Sequence, residues 1–128
     1  MRVLLADDQA WLRSAVRLLL EQEQDIEIVG EAAESSVLLS ITKAVHPDVL
    51  LLDWELPGVH SSCGELVLRR LRTTCPEVIT IVMSGRPEAG PIALEAGADR
   101  FVSKADPPEA LLSAIRDIQR SMSLAKSE

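Results

Sequence analysis

Apolar residues along the chain alternate between short continuous runs and longer stretches at helical spacing. Residues 2–6 form a short apolar run closed by Asp7 and Asp8, and residues 10–20 then place Leu12, Ala15, Val16, Leu19 and Leu20 on one stripe. This is the pattern of a strand followed by an amphipathic helix. The unit repeats: residues 26–31 read as a strand with Gly30 near its end, and residues 34–45 carry Val37, Leu38, Ile41 and Val45 on one helical face. Pro47 punctuates before a third strand over 48–53, and Pro57-Gly58 turns the chain out of it. A third helix is expected through 65–72, after the polar turn His60-Ser61-Ser62, and a fourth strand over 78–83 that ends at Ser84-Gly85. Gly90-Pro91 is expected to open a short helix, with Pro91 at its first position and Gly97 as its C-terminal cap. Residues 99–103 read as a fifth strand, and Pro107-Pro108 opens a last helix with Leu111, Ala114, Ile115 and Ile118 on its apolar face. The polar tail from Ser121 is expected to fray.

Strands that are apolar on both faces and alternate with helices predict an α/β fold, a parallel sheet covered on two sides. The 128 residues suffice for one core without disulfides or a structural metal. Hydrophobic residues make up 47% of the chain but aromatics only 2%, so Leu, Val, Ile and Ala must build that core. The formal charge of −7 argues against direct binding to nucleic acid or to an anionic membrane surface. Cys63 and Cys75 lack the second ligand pair of a zinc site, and free thiols in a reduced, cytosolic compartment are the simpler expectation. The N-terminal apolar run is too short for a signal-peptide core or a membrane span.

In open parallel sheets ligands bind beyond the carboxyl ends of the strands. Strand one ends in Asp7 and Asp8, strand three in Asp53, strand four in Ser84 and strand five in Lys104, while Glu31 at the end of strand two looks peripheral. Three carboxylates brought together would repel one another unless a cation completes the group, and oxygen ligands without His or Cys favour Mg²⁺. A bare metal site would not need Lys104 or Ser84, whereas a phosphoryl group uses both a compact positive charge and a hydroxyl. Asp53 is thus the candidate nucleophile, able to form an acyl phosphate, and the backbone carbonyl of Glu55 is a candidate metal ligand in the turn that follows. Taken singly, each of these residues also has an ordinary explanation. Asp7-Asp8 suits a solvated helix entry, Ser84-Gly85 a turn, and Phe101, the sole Phe, a core position. Trp11 and Trp54 either anchor a partner or cover the rim of the site, and His46 and His60 read as surface loop residues.

Several stretches, in order, resemble the receiver domains of two-component response regulators over nearly the whole chain. They are Leu4-Leu5-Ala6-Asp7-Asp8, then 47–53 with Leu56-Pro57-Gly58, then Val82-Met83-Ser84-Gly85, and finally 93–99 leading to Phe101 and Lys104. The wording around 26–58 is most similar to receivers that precede a helix-turn-helix DNA-binding domain. The resemblance implies a flavodoxin-like doubly wound sheet of five parallel strands in the order 2-1-3-4-5 with five helices, the fourth short. It places the receiver over 1–120 and a polar tail or linker over 121–128. It also implies that Asp53 accepts a phosphoryl group from a histidine kinase or phosphotransfer protein, with Mg²⁺ held by Asp7 or Asp8, Asp53 and the Glu55 carbonyl. Ser84 and Lys104 would grip the phosphoryl oxygens, and the Phe101 rotamer would follow Ser84. The output face, with a homodimer as one option, would lie on the fourth helix, fifth strand and fifth helix and regulate transcription through an effector domain.

The chain departs from that pattern in places. The segment from Ser84 to Lys104 is a little short, with Pro87, Gly90 and Pro91 crowding the fourth helix, so a short, displaced or mobile helix is expected. The loop over 60–64 is slightly long, and Ala105 follows Lys104 where many members have a cis proline, so a trans bond is expected there. Glu55 and Arg86, each two positions past a site residue, are candidates for tuning the phosphoryl lifetime, by pairing with each other or by blocking water. Two other classes compete: a phosphatase of the haloacid dehalogenase type, whose Asp-x-Asp on the first strand fits Asp7-Asp8 poorly, and a pseudo-receiver scaffold that is not phosphorylated.

Overall fold

The computed structural model describes residues 1–56 and 62–127. Five strands, β1 (Arg2–Ala6), β2 (Glu27–Ala32), β3 (Val49–Asp53), β4 (Ile79–Ser84) and β5 (Arg100–Ser103), alternate with helices α1 (Ala10–Glu21), α2 (Ser35–Val45), α3 (Ser62–Thr74), α4 (Ala89–Glu95) and α5 (Pro108–Ser127). The strands pair in parallel in the order β2-β1-β3-β4-β5, the flavodoxin-like doubly wound arrangement. The strand order reverses between β1 and β3, and that switch point opens the crevice where such folds bind ligands.

Helices cover both faces because every parallel crossover must leave and re-enter the sheet on one side. β3, in the centre, has all five residues buried, and its alternation sends Leu50 and Leu52 to one cluster and Val49 and Leu51 to the other. The first cluster joins the sheet to α2, α3 and α4 through residues such as Leu38, Leu68 and Ala93. The second joins it to α1 and α5 through Leu20, Leu111, Ile115 and Ile118. Burial of this kind is worth roughly 1.5–3 kcal/mol per large aliphatic side chain.

Element types follow the hydrophobic pattern, and several ends differ. α4 begins at Ala89, so Pro91 is its third residue rather than its first. A proline is tolerated there because the first four amides of a helix have no intrahelical acceptor. The helix is short, as expected, at 7 residues. It stops in a Schellman arrangement: Gly97 at φ 118° donates its N–H to Leu94 O at 3.2 Å, and Ala98 N–H donates to Ala93 O at 3.0 Å. α3 runs on both sides of the expected 65–72, and β2 extends one residue beyond Glu31 to Ala32. α5 continues to Ser127 instead of fraying from Ser121, since nothing after Pro108 breaks a helix. The described backbone contains no cis peptide bond. The expected turn at Pro57-Gly58, residue His60 and the side chain of Cys63 lie outside what the structure describes.

Candidate functional site

Register sets the site. Ala6 pairs with Leu52, Asp53 with Met83 and Ser84 with Ser103, so Asp7, Asp53, Ser84 and Lys104 arrive along one edge of the sheet. Lys104 is tied to that row by its own amide, which donates to Ser84 O at 2.8 Å. Alternation then sorts the side chains. Met83 and Val102 face α1 and α5, and Asp53 and Lys104 fall on that side with Leu51. Val82 and Phe101 face α4, and Ser84 follows them there.

On the α1 side the groups converge. The Lys104 ammonium lies 3.0 Å from Asp53 Oδ1 and 3.2 Å from Asp7 Oδ2. Carboxylate oxygens of Asp7, Asp8 and Asp53 all fall within 4.8 Å of one another. The Asp53 side chain is only 2% exposed. That burial pushes its carboxyl up to about 6, against the hydrogen bonds from Lys104 and from the Glu55 N–H, and the Asp7 charge adds to the rise. For Lys104, burial acts downward, but hydrogen bonding and charge from Asp53 and Asp7 prevail and hold the ammonium above its ordinary value. The lysine is therefore a fixed cation between two acids.

The donor set consists of oxygen alone, with Asp8 open to solvent, Asp7 partly so and Asp53 buried. A lysine offsets part of the negative charge but leaves a surplus. This fits a small hard dication such as Mg²⁺, which takes few carboxylates and keeps waters on its open side. At the acidic cluster Glu55 contributes its N–H, which donates to Asp53 Oδ1 at 3.0 Å.

On the α4 side Ser84 is fully buried. Its hydroxyl lies 2.9 and 3.0 Å from the two carboxylate oxygens of Glu55. The expected Glu55–Arg86 pairing is absent among the described residues: Glu55 is engaged by Ser84 and by the Gly85 amide, and Arg86 contributes only its backbone N–H, to Ser84 Oγ at 3.0 Å. Phe101 is half-buried, its ring so close to α4 that a Cβ on Gly90 would come within 3.0 Å of it. Trp54, 3% exposed, is a core residue and not a partner anchor, because the position after Asp53 points back into the α2–α4 cluster. Trp11 stands 70% exposed. Cys75 is a buried free thiol, and His46 caps α2 in the left-handed conformation at the surface.

Two contributors escaped the sequence reading. Arg13 donates to the Asp7 carbonyl and to Glu31 Oε1, joining α1 to β2 behind the acids. Its place one turn into the helix after Asp7-Asp8 was the available signal. Gly90 matters through a close approach that only the fold creates.

A family model described as the response regulator receiver domain matches residues 3–116. The chain belongs to the receiver domain family. This receiver is 31% identical over 116 residues to the transcriptional regulatory protein DesR of Bacillus subtilis, covering 91% of this chain and 57% of that protein. It is 36% identical over 121 residues to a protein-glutamate methylesterase/protein-glutamine glutaminase of Halalkalibacterium halodurans, covering 91% of this chain and 34% of that protein. Among solved structures, the receiver domain of a response regulator NarL from Mycobacterium tuberculosis superposes with a TM-score of 0.81 at 29% identity, covering 93% of this chain and 95% of that one. The receiver spans about half the length, or less, of the curated relatives it matches. Among its described residues no helix is long and apolar enough to cross a membrane.

Proposed function

We propose that this receiver is a phosphoacceptor of a two-component phosphorelay, with Asp53 taking a phosphoryl group from a histidine kinase or a phosphotransfer protein. The observation that carries this reading is the Lys104 ammonium lodged between Asp53 and Asp7 beside a cluster of three carboxylates. An Asp53 oxygen attacks phosphorus, the O–P bond forms as the N–P bond to the donor imidazole breaks, and the imidazole leaves with a proton. Lys104 meets the charge on the phosphoryl oxygens, and Ser84 offers its hydroxyl to one of them. Asp7, Asp8, Asp53 and the Glu55 carbonyl would hold Mg²⁺, which, when bound, neutralises part of the charge shared by the carboxylates and the phosphoryl group. Phe101 would follow Ser84, and Arg86, free of Glu55, would influence the lifetime of the acyl phosphate from the rim.

Residues 1–120 are proposed as the signalling unit. The likeness to DesR supports transcription as the regulated process, through an effector outside this chain, and no catalytic step beyond the receiver's own phosphorylation and dephosphorylation is proposed. Incubation with acetyl phosphate and Mg²⁺, read by intact mass, tests the reading. Wild type gains one phosphoryl and Asp53→Asn gains none. No gain on wild type, or an equal gain on Asp53→Asn, overturns it and favours the unphosphorylated scaffold.

A further inference from the structure

The hydrogen bonds at the end of β4 converge on one carboxylate. Ser84 Oγ lies 2.9 Å from Glu55 Oε1 and 3.0 Å from Oε2, and the Gly85 N–H donates to Oε1 at 3.1 Å. A hydroxyl carries one proton and an amide carries one. Both protons that β4 presents at this edge are therefore committed to Glu55, while Ser84 Oγ accepts from the Arg86 amide at 3.0 Å. A phosphoryl group on Asp53 that is gripped by Ser84 needs the same hydroxyl proton. The two arrangements exclude each other.

We infer that Glu55 is an internal stand-in for the phosphoryl oxygens, holding Ser84 and Gly85 while Asp53 is unmodified and surrendering them when Asp53 is phosphorylated. This rests on the phosphoacceptor reading of Asp53 and adds its regulation. The backbone of the turn is pinned. Glu55 N–H donates to Asp53 Oδ1 and Leu56 N–H to Asp53 O, both at 3.0 Å, and the flanking Trp54 and Leu56 are buried. The Glu55 side chain is only half-buried, so its carboxylate can swing into water and recover hydration without moving the turn. A phosphoryl group brings negative charge of its own, and repulsion from it drives that release. Glu55 thus sets a threshold. The β4 edge stays closed until a stronger anion arrives.

Binding of beryllofluoride with Mg²⁺ to the intact chain, a phosphoryl stand-in, measures the threshold. Glu55→Ala removes both acceptor oxygens and is expected to tighten binding by roughly three- to tenfold, the range of one ordinary hydrogen bond exchanged for another. Glu55→Gln keeps one acceptor oxygen for the Ser84 proton and should fall between wild type and Ala. In a Ser84→Ala background the gain from Glu55→Ala should shrink, because one of its two partners is gone. Without Mg²⁺ or beryllofluoride, the Gly85 amide proton should move upfield in Glu55→Ala as it loses its carboxylate. Equal gains for Ala and Gln, undiminished in the Ser84→Ala background, would reduce Glu55 to a charge effect and overturn the stand-in role, as would an unmoved Gly85 resonance. A wild type that binds while the variants match it overturns the stand-in role alone. A wild type that does not bind takes the phosphoacceptor reading down as well.

Discussion

The two sides of the site are held in different ways. Towards α1 and α5, Asp7, Asp53 and Lys104 are side chains 13%, 2% and 17% exposed, joined by ion pairs of 3.0 and 3.2 Å at the ends of β1, β3 and β5. Towards α4, Ser84 is held by a half-buried carboxylate from the turn after β3, and Phe101 by contact with a helix of 7 residues. On the first side the lysine and the two acids are paired with one another. The second has hydrogen bonds that another anion can take over. A nucleophile gains from being placed before the reaction, whereas groups that report on the reaction need two states of similar free energy.

The comparison breaks most visibly in phosphorylation rates. Lys104→Ala removes the fixed cation and is expected to slow phosphorylation by acetyl phosphate by about 10²–10³-fold, the range for losing one preorganised donor. Ser84→Ala should cost about tenfold or less, since its hydroxyl must first be withdrawn from Glu55 and its net contribution is a single exchanged hydrogen bond. The rate of mass gain at fixed acetyl phosphate and Mg²⁺ measures both. Equal losses would mean that the two sides do not differ.

The next effect is on stability. The Asp53 carboxyl is raised from 3.8 to about 6 by burial, with the Asp7 charge adding to it. A carboxyl raised on folding contributes stability that is present below its unfolded value and lost as pH rises through the folded one. In Mg²⁺-free wild type, stability should therefore fall between pH 4 and 7, the window set by those two values. Asp53→Asn cannot ionise, so it should be more stable than wild type at pH 7.5 by roughly 1–3 kcal/mol, the advantage fading towards pH 4. Denaturant melts in the presence of a chelator give the difference. On the other side of the site Ser84→Ala should instead lose about 1 kcal/mol, with no such pH dependence in that window. A wild type more stable than Asp53→Asn at pH 7.5 would show that Lys104 outweighs the burial.

The residues of both sides were legible in the sequence, but the bonding on the adaptable side was not, for a physical reason. Asp7, Asp53 and Lys104 each close an expected strand, and in a parallel sheet the ends of neighbouring strands meet whatever the fine register. The bond between Glu55 and Ser84 links residues 29 apart, and it depends on Asp53 pairing with Met83 rather than with a neighbour. The sequence suggested Arg86 as the partner because opposite charges attract, but the register put a hydroxyl and an amide nearer. Trp54 shows the same limit: beside an acid it reads as a partner anchor or as rim, yet strand alternation turns it into the core. The start of α4 was misplaced because proline favours the first helical position, although any of the first positions can accommodate it.

The far end of α4 tests how much of the adaptable side is fixed. Gly97 sits at φ 118°, and a Cβ there would meet nothing nearer than Arg72 Nε at 4.0 Å. Gly97→Ala therefore adds backbone strain without a clash and should cost about 1–2 kcal/mol in thermal or denaturant melts. Phosphorylation rates at temperatures where the variant is folded should stay within about twofold of wild type. A large drop would mean that the C-terminal stop of α4, and not only Glu55, sets the state of Ser84.

The smallest effect lies behind the rigid side. Glu31 accepts from Arg13 at 2.8 Å and from Arg17 at 2.9 Å, tying β2 to α1, and Arg13 also holds the Asp7 carbonyl. Partial burial acts to raise the Glu31 carboxyl, but the hydrogen bonds and charges of the two arginines outweigh it and bring it below 4.5. A carboxyl lowered on folding contributes stability above its unfolded value and loses it as pH falls through the folded one. Glu31→Gln should therefore cost only a few tenths of a kcal/mol at pH 7, because partly exposed pairs are screened by water and salt. That cost should fade as pH falls below 4.5 and shrink at 1 M salt. The Asp53 phosphorylation rate should not follow it, since Asp53 is placed by its own buried strand and by Lys104. If Glu31→Gln slows phosphorylation as much as Ser84→Ala does, the acids of β1 depend on a surface clip, and the contrast between a fixed side and an exchangeable side fails at its strongest point.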